Sequence, residues 1–533
     1  MRPRLRRLGG AVLLALAACA SPAPPLPETQ VLIFGEQHDQ PDHQRQTAQA
    51  VQRLAERGRL AALVIEMAER GRSTTGLPRD AVMRVNANYG NMGQMLIAGA
   101  RLLDGTAVDV RLGATITDVG ELTPRPGEEV LDAGGGTVIP GLHDHHVHLR
   151  AAAAALGSVH VGPPAVRTAE AMRTVLHQAS PRPDGWIRAV GYHDSVAGEL
   201  DRARLDELSP HTPVRVQHRS GALWILNSAA LNRVGVAHHS DGRLFREDAA
   251  LARTETPSFG ELSARLAAYG VTGVTDATPG YTDLDIEKFT QARRSGELRQ
   301  HLHCMAVAGT SPSDLVSIGP AKMILDDPAL DLDALTEWVA GNHAAGHPVA
   351  VHAVTDAQLV VTLAALATAG VLPGDRVEHA AVVPGDCIAG LAELGVTVVT
   401  QPNFVAERGG EYLAEVAAAQ HDQLWRLASL REAGVPVALS TDTPFGHGDP
   451  WAAIRAAVHR RTLGGAVLGV AERISPAAAL RGFLGRPDRP AVVRRIAPGE
   501  PADLCVLSRP PEDVLAELDA DLVAATVIDG RIV

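Results

Sequence analysis

From about residue 141 to Leu484 the chain alternates short runs of β-branched residues with longer alanine-rich amphipathic segments. Repetition of this kind predicts βα units around a parallel sheet. On either side the pattern changes. From Met95 to Pro140, and again at Asp503–Leu507 and Ala525–Asp529, it shortens to the alternation of small strands. Strands at both ends of a long βα array predict an α/β protein: a (β/α)8 TIM barrel over 141–489, with a small β-sandwich domain assembled from 95–140 and 490–533. Further upstream lie a short strand at Val31–Phe34, a helical stretch from Asp42 to Arg57 and an apolar run from Leu60 to Met67. A Gly/Asn-rich joint, Asn86–Gly93, follows. Two strands and a helix bury too little apolar surface to stand alone.

Composition narrows the class of partner. The 533 residues exceed one ordinary domain, and 46% hydrophobic against 21% charged residues is a globular balance. A net charge of −12 with only 3% aromatics excludes a nucleic-acid partner. Two lysines, Lys288 and Lys322, stand among 49 basic residues, so arginine serves almost everywhere a solvated cation is enough. Lys288, in Ile286-Glu-Lys-Phe289, is read as a solvated helix residue.

At the N-terminus, Arg2, Arg4, Arg6 and Arg7 precede an apolar run, Leu8–Ala18, that is too short to span a bilayer. This is the form of a secretory signal over 1–19. Leu16-Ala17-Ala18-Cys19 resembles a bacterial lipobox, which implies lipidation of Cys19 and a membrane-anchored lipoprotein facing the periplasm or exterior. A proline-rich tether, Pro22 to Pro27, opens the segment 20–94. On this reading the lipid is the only membrane contact. Cys304, Cys387 and Cys505 form neither a disulfide framework nor a zinc knuckle, and suit a reducing compartment better. Translation starting at Met92 or Met95 would remove the leader and leave a cytoplasmic protein. Residues 30–80, with GEQHDQPDHQ and ALVIEMAERG, resemble the start of the ChaN-like haem-binding lipoproteins; Glu36, His38 and His43 then form a fragment of such a site.

The chemistry concentrates in Val138-Ile-Pro-Gly-Leu-His-Asp-His-His-Val-His148. An apolar strand runs into His146 and His148, and period two places both imidazoles on one face, a good chelating pair for zinc. Four later strand ends carry Lys322, His352, His379 and Asp442. The order His-x-His, Lys, His, His, Asp resembles the amidohydrolase superfamily, in its amidohydrolase-3, YtcJ-like branch, over about 95–533. Asn227-Ser-Ala-Ala-Leu231, Gly270-Val-Thr-Gly-Val-Thr-Asp276, Gln401-Pro402 and Pro498-Gly499-Glu-Pro-Ala-Asp503 also fit that branch. Ala222 departs from it, since many relatives place a histidine there.

The resemblance implies one or two zinc ions. His146 and His148 would hold the more buried one and His352 and His379 the other, with Lys322 bridging them as a carbamate. Asp442 would bind weakly and carry a proton. Lysine can lose its proton and take up CO2, whereas arginine stays charged. The implied activity is hydrolysis of a C–N bond in a small amide, N-acyl or cyclic amide substrate by metal-activated water, with Lys322 and Asp442 as catalytic groups. Oligomeric state is left open. Asp144 and Asp326 are read as supporting or turn residues, Asp144 as a candidate to orient an imidazole. The alternative is a haem- or iron-binding lipoprotein with a silent barrel.

Overall fold

The computed structural model describes residues 95–245 and 258–533. Cys19, Glu36, His38 and His43, with the leader and the ChaN-like segment, lie outside them. Strand Met95–Arg101 is the hub of the small domain: it pairs antiparallel with Ala107–Leu112 and parallel with both Glu129–Asp132 and, at Arg101, Thr137–Pro140. Thr137–Pro140 pairs in turn with Leu504–Leu507, and that strand with Val523–Ile528. One branched eight-stranded sheet thus joins segments lying before and after the barrel in sequence. Alternation gives it two faces. Leu504 and Val506 join Ile97, Val110, Leu112 and Val138 in the sheet's own core, while Cys505 and Leu507 pack into the barrel core.

The barrel strands are parallel and form two arcs. The first arc is Leu142–Val147, Val271–Tyr281, His301–Ala306 and Val316–Gly319. The second is Ala321–Ile324, Val349–Ala353, Arg376–His379, Thr397–Thr400 and Val437–Leu439. Val316–Gly319 and Ala321–Ile324 flank Pro320, which has no N–H to donate, so together they fill one of eight barrel positions. At the other seam no ladder forms; instead, Asp442 N–H donates to the His146 carbonyl at 2.9 Å and His148 N–H to the Thr443 carbonyl at 2.9 Å. The arrangement is that of a (β/α)8 barrel, and its closing hydrogen bonds fall among the candidate site residues.

Local chemistry explains the elements around the strands. Asp331 and Thr355 cap the helices Leu332–Ala344 and Asp356–Ala369 by accepting the N–H of Ala334 and Gln358. The strand residues facing these helices, including Val349, Val351, Val377 and Val398, are fully buried, each contributing about 1.5–3 kcal/mol. Gly141 opens the first barrel strand because a Cβ there would stand 2.1 Å from Thr272 Cγ2.

Between the first two barrel strands lies an insert with its own five-stranded sheet, in the order Arg243–Phe245, Leu223–Leu226, Val214–His218, Ile187–Tyr192 and Val159–His160. Val161, Tyr192, Leu205 and Val216 form its separate core. Among the described residues, no helix is long and apolar enough to cross a membrane.

Candidate metal centre

The first barrel strand is buried along its whole length and delivers His146 and His148 to the seam. Across it, Asp442 follows Val437–Leu439. His146 Nε2 lies 3.6 Å and His148 Nε2 3.4 Å from Asp442 Oδ1. That oxygen is buried and accepts no hydrogen bond. The ligand atoms of these three residues all fall within 4.8 Å of one another.

Neighbouring groups decide which ring nitrogens face inward. The Glu378 carboxylate accepts from His146 Nδ1, and Glu378 is itself paired with Arg376, so the His146 proton sits on Nδ1 and Nε2 keeps its lone pair. His148 Nδ1 is 2.9 Å from Thr278 Oγ1. His379 Nδ1 donates to Gln401 Oε1 at 2.8 Å, while Gln401 Nε2 donates to Ser440 Oγ at 2.9 Å. Imidazoles fixed through one nitrogen present the other as a ligand. Two imidazole nitrogens converging on an orphaned, buried carboxylate oxygen fit a divalent cation with an affinity for nitrogen.

Lys322 stands second in its strand, Ala321–Ile324, with Nζ 3.1 Å from His146 Nε2. Burial depresses its pKa to about 8, against the pull of Glu378 and Asp442. Burial, followed by the charge of Lys322, also holds His146 well below the ordinary histidine value; burial and His352 do the same for His379. The His379 ring centre lies 4.8 Å from that of His146 and 4.5 Å from that of His352. All six residues anticipated from the sequence, His146, His148, Lys322, His352, His379 and Asp442, are therefore linked through a chain of short contacts. His379 and Asp442 adopt positive φ, 70° and 58°, an uncommon backbone for non-glycine residues that concentrates at functional sites.

Further residues support the site from outside it. Glu378 and Arg376 share a face of their strand, and Arg376 Nη2 also donates to the His145 carbonyl at 2.7 Å. Asp144 does not orient an imidazole. It accepts from Thr441 N at 3.0 Å and Thr441 Oγ1 at 2.5 Å, pinning the residue before Asp442; burial raises its pKa to about 7. Asp326 immediately precedes a short 3-10 turn at Asp327–Ala329.

Fold and site together define a metal-dependent hydrolase of the barrel type. A model of the amidohydrolase family matches residues 129–533, and the chain belongs to that family, whose reaction here is hydrolysis of a C–N bond. An N-substituted formamide deformylase from Arthrobacter pascens is 27% identical over 532 residues, covering 84% of this chain and 96% of that protein. An uncharacterized metal-dependent hydrolase from Pyrococcus horikoshii superposes with a TM-score of 0.64 at 18% identity, covering 79% of this chain and 98% of its own. One from Pyrococcus furiosus does so at 0.63 and 19% identity, covering 78% and 99%. The family match favours the hydrolase over the haem-lipoprotein alternative.

Proposed function

We propose that the chain hydrolyses small N-substituted amides, N-substituted formamides first among them, to an acid and an amine, with zinc held by His146, His148 and Asp442. The observation that carries this is the convergence of His146 Nε2 and His148 Nε2 on the unpartnered Asp442 Oδ1. The deformylase relative supports the substrate class.

A metal bound there supplies Lewis acidity, polarising the carbonyl and lowering the pKa of water to about 7. Asp442 takes the proton of the attacking water and passes it to the nitrogen as the C–N bond breaks, so the amine leaves neutral. Lys322, buried with its pKa lowered to about 8, has an amine that could take up CO2; as a carbamate it would join His352 and His379 in holding a second ion. Glu378 keeps the His146 proton on Nδ1.

Metal analysis of the purified full chain, alongside hydrolysis of N-benzylformamide and N-methylformamide, tests the reading. Chelation should abolish turnover and zinc restore it, and Asp442→Asn should lower kcat by about 10²–10⁴-fold, the usual worth of a positioned acid–base group. Metal-free protein with undiminished activity would refute the proposal. We also infer lipidation of Cys19 from the leader, which mass spectrometry of the native N-terminus tests; an unmodified start at Met92 or Met95 would overturn it.

A further inference from the structure

One half-buried aromatic ring stands among the polar groups of the metal centre. Phe445 lies three residues beyond Asp442, on the same turn, and its N–H donates to the Asp442 carbonyl at 2.8 Å. Its ring meets that of His148 edge-on, with centres 5.2 Å apart. Two contacts hold it there. Arg408 Nη2 donates to the Phe445 carbonyl at 2.6 Å. From the insert, Gly221 lies directly against the ring: a Cβ at that position would stand 2.6 Å from Phe445 Cε1 and 2.7 Å from Cζ. Gly221 also has φ +77°, a conformation that suits glycine. The turn that carries it is pinned to the barrel by an ion pair between Arg219 and Glu411.

We propose that Phe445, positioned by Gly221 of the insert, forms the wall of a pocket for an apolar alkyl or aryl substituent on the scissile nitrogen. This rests on the C–N hydrolysis proposed above. A nitrogen that receives its proton from Asp442 comes within hydrogen-bond reach of that carboxylate, so its substituent begins one bond away, beside the turn that carries Phe445. The Phe445 ring offered there is apolar and only half-buried. The guanidinium groups of Arg219 and Arg408 are already engaged by Glu411 and the Phe445 carbonyl, and Ala222 adds no hydrogen-bonding side chain. An amine of benzyl size matches such a wall.

The experiment compares kcat/KM for N-benzylformamide and N-methylformamide in the metal-loaded full chain and, separately, measures benzylamine binding by calorimetry. In Phe445→Ala the benzyl-to-methyl ratio should fall about tenfold or more, the usual worth of a lost apolar contact, and the benzylamine Kd should rise by a similar factor, with metal content retained. Phe445→Leu, which keeps apolar bulk, should lose less. Gly221→Ala, which drives a methyl into the ring, should move both readouts in the same direction as Phe445→Ala. An equal fall for both substrates, or an unchanged benzylamine Kd, overturns the assignment. Benzylamine binding that depends on Phe445 in a protein that cleaves neither formamide would uphold the pocket while refuting the reaction.

Discussion

Lys288 and Lys322 carry the same side chain into opposite surroundings. Lys288 is exposed on the helix Asp283–Arg294, where an arginine would be equally hydrated. Lys322 is 9% exposed and touches His146, where a permanent charge would repel a cation and only an amine can shed its proton. Lys322→Arg should therefore leave the fold intact while reducing bound metal below one equivalent, as measured by mass spectrometry of the purified protein. Glu378 acts one step further out. Replacing it with Gln weakens the charge that fixes His146 in its Nδ1–H form, and metal affinity should fall about 10–100-fold, read by competition with a chelator. The six candidate residues were legible because each lies in or just beyond a short apolar strand. Glu378 was not, because its role exists only across the barrel: His146 and Glu378 are separated by 232 residues in sequence. Gln401 was visible as a motif, but not its hydrogen bond to His379 of the neighbouring strand.

The first barrel strand and the turn after Val437–Leu439 depend on close backbone approach more than on side-chain bulk. Asp144 ties one to the other by taking both the N–H and the hydroxyl of Thr441, so the positive-φ Asp442 is held from its neighbour. Sequence pattern predicts Asp144 as a helper, yet cannot say that its partner is a loop rather than an imidazole, because that depends on which strands meet at the seam. At the opposite end of the strand, Gly141 lies where a Cβ would meet three atoms of Thr272 at 2.1, 2.4 and 2.7 Å. Gly141→Ala should destabilise the barrel by about 1–3 kcal/mol through overpacking, seen as a lower calorimetric Tm. Thr272→Gly in the same chain should recover part of the loss, whereas an additive effect of the two changes would show that the clash is not the cause.

At the scale of the molecule, the barrel and the small β domain are joined through cores and through one charged cluster. The domain's composition from both ends of the hydrolase region follows from the alternation of short strands, but the groups that fasten it to the barrel are visible only in three dimensions. His301 opens the third barrel strand and reaches Asp503 at 3.1 Å and Asp529 at 3.3 Å, just before the strand Leu504–Leu507 and just after Val523–Ile528 of the β domain. Burial disfavours its charge, yet hydrogen bonds and attraction from both carboxylates outweigh that and raise its pKa to about 9. The unfolded value is about 6.5, so the folded state binds the proton more tightly. Its stabilisation is complete below about pH 6.5 and is lost as pH rises through about 9. Since His301 is partly exposed, solvent screening reduces its contribution. Thermal unfolding of the wild type and His301→Gln between pH 6 and 10 measures it. The wild type should hold a higher Tm at pH 6 that shrinks toward the variant's above pH 9, and a gap that stays constant across this range would mean that packing, rather than charge, joins the two domains at His301.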